Sequence, residues 1–206
     1  MSLPFLAHCM VLLTASVSWA YATPTHLPVP PSSNTPTSAQ AHPMTPAASS
    51  HSPAAEHIAQ QLMTFLTTVP SSEALTADVV GQPFGATLTA EGERFLYRSG
   101  DLGGGWNYGV AVSPGNRTMK RGFEFWFYNP TPGAYPTPIC TVTLNALRQQ
   151  LVAHGFVERV TPSETGGLDW IDFLKGDLVL TVTDRDLVTA PNGDECLTRL
   201  QTTDGR

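Results

Sequence analysis

Gly155 marks the point at which the hydrophobic period of this chain changes, and no other position limits the possible folds as much. Before it, Thr143 can N-cap a helix whose apolar positions Leu144, Leu147 and Leu151 fall at helical spacing, and Gly155 stands where a left-handed C′ residue is needed. Phe156 then sits at C″, placed to pack back on Leu151 or Val152. After it the period drops from about 3.6 to about 2, and Leu178, Leu180 and Val182 alternate with Val179, Thr181 and Thr183. A helix laid on an antiparallel sheet satisfies both patterns. The expected class is therefore α+β, with antiparallel sheet packed by helices.

The same pattern occurs earlier in the chain. Ser52 followed by Pro53 reads as an N-cap with proline at N1, and Ile58, Leu62, Phe65, Leu66 and Val69 form one apolar stripe that Pro70 ends. Ser71 and Ser72 can open a second short helix running through Val80, with Gly81 and Pro83 as its stop. Strands are expected at Arg94 to Arg98, Tyr108 to Ser113 and Gly122 to Tyr128, and again at Phe156 to Val160 and Leu168 to Leu174. Lys175-Gly176-Asp177 is a turn, which makes Leu168 to Thr183 a hairpin. Two helix-plus-three-strand units in tandem, bridged by Pro130 to Pro138, account for this order. The stretch Leu75 to Phe84 also resembles the Gly-x-Pro helix stop of small outer-membrane assembly lipoproteins, which run two helices and then three strands. The lipid-bearing cysteine of those proteins has no counterpart here, and no family is assigned on this likeness.

Charge divides the chain. All 17 acidic and 11 basic side chains of the 206 residues lie at or after Glu56. Residues 1–22 read as a signal peptide: Leu3 to Ala20 is mostly apolar, and Ala20-Tyr21-Ala22 supplies small residues at −3 and −1 for cleavage after Ala22, with cleavage after Ala20 second. The rival is an uncleaved anchor, against which Pro4 and His8 count. Residues 23–55 are mostly Pro, Ser, Thr and Ala and lack the apolar content to offset ordering entropy, so a disordered, polyproline-like linker is expected. Residues 56–206 are the expected domain, and roughly 150 residues can bury a core of their own. A secreted or periplasmic location follows, with membrane contact only if the leader stays.

Cys9 falls in the leader, so the mature chain keeps Cys140 and Cys196, which in an exported protein implies one disulfide. Closing that loop constrains the unfolded chain by roughly 4 kcal/mol in the loop-entropy model. The bond is expected to tie the start of the organising helix to the C-terminal segment.

A net charge of −6 argues against an electrostatic nucleic-acid binder. The one basic cluster, Arg117, Lys120 and Arg121, reads as a solvated turn. Within Gly122 to Tyr128, Phe123, Phe125 and Phe127 share one face while Glu124, Trp126 and Tyr128 share the other. If the phenylalanines meet the helices, Trp126 and Tyr128 stand on the far face, with Trp106, Tyr108 and Tyr135 nearby, and an aromatic patch of this kind suits a protein partner or sugar rings. The competing expectation is that both sheet faces are covered and these rings are core. Gly103-Gly104-Gly105 lacks the Lys-Ser/Thr of a P-loop and reads as a mobile hairpin tip. Asn116-Arg117-Thr118 is an N-glycosylation sequon, which matters only in a eukaryotic host.

Catalytic groups are sparse. His154 falls in the last helical turn, where it suits capping, and no Gly-x-Ser-x-Gly elbow is present. Asp169 and Asp172, three apart on a strand, point to opposite faces and do not pair. Asp184, Asp186, Asp194 and Glu195 read as a solvated acidic segment in preference to a calcium site, and His26, His42 and His51 lack metal-ligand spacing. The expectation is a tethered, non-catalytic binding module without metal or cofactor, its contacts made by Trp106, Tyr108, Trp126 and Tyr128. Its partner would be another exported protein of the inhibitor, immunity or adaptor kind. The alternative is a structural envelope protein that binds wall glycan or assists envelope assembly.

Overall fold

The computed structural model describes residues 51–100 and 102–203; the leader and nearly all of the linker lie outside these residues. Helix α1 spans Pro53–Thr68, with Ser52 as N-cap and Pro53 at N1. The Ser52 side chain makes no capping bond; its backbone instead donates to Pro138 O at 3.1 Å and accepts from Glu56 N at 3.0 Å. Ala55, which composition assigns to the linker, is fully buried on α1, so the folded part starts ahead of Glu56. The expected second helix is broken into a 3-10 turn at Ser72–Ala74, helix α2 at Ala77–Gly81, and a second 3-10 turn at Gln82–Phe84. The break falls at Leu75, and Thr76 recaps the chain by accepting from Val79 N at 3.3 Å.

Strands β1 (Thr89–Glu91), β2 (Arg94–Arg98), β3 (Asn107–Ser113) and β4 (Gly122–Tyr128) follow as an antiparallel meander. Helix α3 spans Leu144–Ala153 and is bounded as its sequence requires. Thr143 accepts from Ala146 N at 3.2 Å, and Gly155 has φ 87°. Phe156 N donates to Leu151 O and Gly155 N to Val152 O, the paired bonds of a Schellman stop. His154 Nδ1 lies 2.8 Å from Gln150 O, at the C-terminal end where it was expected to cap. A second meander comprises β5 (Val157–Pro162), β6 (Leu168–Lys175) and β7 (Leu178–Thr183). Two short strands, β8 (Leu187–Thr189) and β9 (Glu195–Leu197), pair with each other, and β10 (Arg199–Thr202) closes the main sheet.

The eight-stranded order is β1-β2-β3-β4-β10-β7-β6-β5. β10 is antiparallel to both β4 and β7, joining the two meanders at a seam only four residues long. The helix-plus-three-strand pattern is thus present twice, as α1 with β2 to β4 and α3 with β5 to β7. These units run outward from β10 in mirrored order with β4 and β7 parallel, and both helices lie on one face. A proper rotation cannot convert one unit into the other, so they are not copies about an internal axis.

All three helices cover the phenylalanine face. Phe65 of α1 meets Phe123 with ring centroids 4.9 Å apart, Phe84 stacks on Phe125 at 6.0 Å, and Leu147 and Leu151 of α3 join the same core. Phe125 is fully buried at its centre, 4.9 Å from Phe127 and 6.0 Å from Tyr108. The two halves also meet outside this core. The Asp177 carboxylate, in the turn between β6 and β7, accepts from the Ser72 hydroxyl and from Ser72 N at 3.2 Å, which holds it below its usual range. Cys140 and Cys196 form a disulfide, Cα atoms 5.1 Å apart, and Thr143 bridges to Cys196. The organising helix is thereby fastened to the C-terminal segment.

Candidate functional site

Residues directly opposite on neighbouring strands share a sheet face, so the registers identify what the other side presents. Glu124, Trp126 and Tyr128 of β4 point away from the helices. Trp126 lies in a transverse row with Arg199 of β10 on one side and Gly109, then Arg98 of β2, on the other. A Cβ at Gly109 would collide with the Trp126 indole, so the ring lies across β3 in the gap that glycine leaves. Trp126 and Tyr128 are each partly exposed.

Charges frame this ring. Glu124 pairs with Arg94 and, at 2.6 Å, with Arg199, while Arg98 pairs with Glu91 at 3.0 Å. The Glu124 side chain is only 16% exposed against 43% and 46% for its arginines, so the carboxylate sits low between two guanidinium groups that remain reachable. Each pair contributes little stability in water, but together they fix the side chains beside the indole. Further along the same face, Arg159 pairs with Asp172 at 2.6 Å, and Thr181 Oγ1 donates to Asp172 at 2.7 Å. Trp170 shares this face from β6 and is partly exposed.

The four sequence-selected residues do not come together. Trp126 and Tyr128 stand on the open face. Tyr108 is 4% exposed on the helix face, in ring contact with Phe84, Tyr97 and Phe125, and burial together with the neighbouring Tyr97 pushes its hydroxyl up to about 12. The reason is parity: Tyr108 is opposite Phe127, so it shares the phenylalanine face. Trp106 is 9% exposed and donates its Nε1 hydrogen to Tyr135 O at 2.9 Å, which anchors the bridge between the two halves. Tyr135 itself is exposed. The triple-glycine turn is not a loose tip: Asn129 Nδ2 and Asn107 Nδ2 donate to Gly104 O and Gly105 O at 3.0 and 2.9 Å. Sequence reasoning also missed Arg94, Arg98 and Arg199, because they join Trp126 only through strand register.

Other candidates are engaged elsewhere. Of the basic cluster, Lys120 and Arg121 donate to the carbonyls of Asp177 and Glu73 at 3.1 and 2.6 Å. Asp186 is buried and accepts from Thr183 N and Oγ1, both at 2.8 Å. Among the described residues, no group of three or more His, Cys, Asp or Glu side chains is placed to hold a metal ion, and no helix is long and apolar enough to cross a membrane. No family model, curated protein or solved structure matches the chain.

Proposed function

We propose that this chain is an exported, non-catalytic binding protein whose helix-free sheet face docks another exported protein, as an inhibitor, immunity or adaptor module does. The observation that carries this reading is Trp126, laid over Gly109 between Arg98 and Arg199 with Tyr128 beside it on the same strand. Trp, Tyr and Arg dominate binding energy at protein interfaces, and a ring already held in position loses little entropy on docking. Export is supported by the apolar leader and by the Cys140–Cys196 bond, which belongs to an oxidising compartment. A non-catalytic role is supported by the engagement of Asp172 with Arg159 and Thr181, and of His154 with Gln150 O.

A second reading rests on the same indole. An indole seated over a glycine on a sheet and partly exposed also suits stacking against a sugar, which is how a wall-glycan binder would use it. Iodide and acrylamide quenching of the full chain tests the shared premise. A fall in the readily quenched fraction in Trp126→Ala, but not in Trp106→Ala, with Trp170→Ala assigning that ring's share, is the expected result; a shielded Trp126 removes both readings. Affinity capture from exported proteins then separates them. A defined complex lost with Trp126→Ala supports the protein partner, and sedimentation with insoluble glycan supports the alternative.

A further inference from the structure

Trp126 shares its transverse row with a second tryptophan. Trp170 of β6 stands opposite Thr183, and the pairing of Gln201 with Thr181 carries the register on to place Thr183 level with Arg199. Across six strands the row is therefore Trp170, Thr183, Arg199, Trp126, Gly109 and Arg98. Neighbouring strands are about 4.8 Å apart, so Arg199 and Arg98 lie about 14 Å from each other with Trp126 between them, and the row is about 24 Å long. Rings and cations alternate along one line on the helix-free face.

The reachable charge on this face is positive, although the chain as a whole carries −6. The strands turn Arg94, Arg98, Arg159 and Arg199 outward against Glu91, Glu124 and Asp172. Asp172 is buried and Glu124 sits low, whereas all four guanidinium side chains are about half-exposed; only Glu91, at the β1 margin, keeps its carboxylate in the open. Arg159 and Arg199 reach their partners through Nη2 alone, which leaves their Nε and Nη1 hydrogens for a further acceptor. Acidic groups elsewhere on the chain are screened over about 8 Å at physiological ionic strength, so the arginines beside the indoles decide what this row attracts.

We infer that the row takes an extended acidic segment of a partner protein, in which two carboxylates four residues apart flank an apolar side chain. The inference rests on the docking reading above and specifies the chemistry of the partner. An extended chain repeats its side chains on one side every two residues, or about 6.8 Å, so residues i and i+4 span about 14 Å, the separation of Arg199 from Arg98. Residue i+2 then falls on Trp126, and residue i−2 lies toward Trp170.

The test is an NMR titration of the oxidised full chain with Nα-acetyl-Leu-Ser-Glu-Ser-Leu-Ser-Glu-amide and with its glutamine counterpart, read on the indole signals of Trp126 and Trp170. The glutamate peptide is expected to shift both signals saturably, with the glutamine peptide at least about tenfold weaker. Arg98→Gln with Arg199→Gln is expected to weaken the glutamate peptide by a similar factor while leaving the urea midpoint close to that of the parent chain, because both ion pairs are exposed on the arginine side. Absence of saturable shifts up to millimolar peptide, equal binding of the glutamine peptide, or indifference to the double substitution overturns the assignment. Polygalacturonate that moves the same signals at equal carboxylate concentration overturns its peptide part. Acrylamide quenching of the same samples separates this inference from the docking reading. An accessible Trp126 with no preference for carboxylates leaves the docking face standing and removes the acidic segment, whereas a shielded Trp126 removes both.

Discussion

The two faces of β4 use the same kind of side chain to opposite ends. Toward the helices, Phe123, Phe125 and Phe127 are almost wholly buried and touch other rings. Away from them, Trp126 rests on a glycine and is framed by arginines, and Glu124 takes the place a further ring would occupy. Aromatic content alone therefore says nothing about function. What separates a core ring from a ring on the helix-free face is the neighbour it meets: another ring in one case, a missing side chain and a charge in the other.

The contrast makes a steep prediction. Phe125→Ala should cost about 3–5 kcal/mol, because its neighbours cannot collapse into the space, whereas Trp126→Ala should change stability by no more than about 1 kcal/mol. Urea denaturation of both variants measures the difference, and similar losses would mean that the outer face is packed like the inner one. Next in size is the disulfide. Replacing Cys140 and Cys196 by serine should cost about 2–4 kcal/mol, read as a lower denaturation midpoint, while leaving the outer face and its quenching unchanged.

A substitution at Gly109 tests the seating of the indole directly. Gly109→Val should cost about 1–3 kcal/mol through collision with the ring, and much of that loss should disappear in a Trp126→Ala background. Additive losses in the double variant would show that the ring does not rest there. The smallest expected effect concerns the phenol on the inner face. Tyr108 has a folded-state pKa raised to about 12, above its ordinary value near 10. Its contribution is fully present below about pH 10 and is lost as pH rises toward 12, because ionisation of the unfolded chain then draws the equilibrium. Tyr108→Phe should flatten that alkaline decline in thermal midpoint, and an unchanged profile would place the hydroxyl in water.

Local signals were readable from the residues themselves. Thr143, Gly155 and Phe156 announced both ends of α3, and alternation in Gly122 to Tyr128 separated the two faces of β4. Those features depend on neighbours in sequence. The central strand β10 did not announce itself, since Arg199–Thr202 offers a single inward apolar residue, Leu200, and four residues carry too short a period to detect. Aromatic type alone groups Tyr108 with Trp126, but only the pairing of Tyr108 with Phe127 settles which way it faces. The arginine frame was hidden for the same reason. Arg94, Glu124 and Arg199 are far apart in the chain and adjacent only once β2, β3, β4 and β10 are in register.

The seam strand sets an order of events for a chain delivered N-terminus first. With residues up to Thr183 delivered, each meander can form with its own helix, but β4 and β7 still have unpaired edges facing one another. Only when Arg199–Thr202 arrives can both edges be satisfied in one step, with Leu200 sealing the core between Phe125 and the β7 side chains. Until then the molecule exposes two sticky sheet margins. While the chain is still being delivered, this open-edged state lasts until almost the last residues of the fold have arrived.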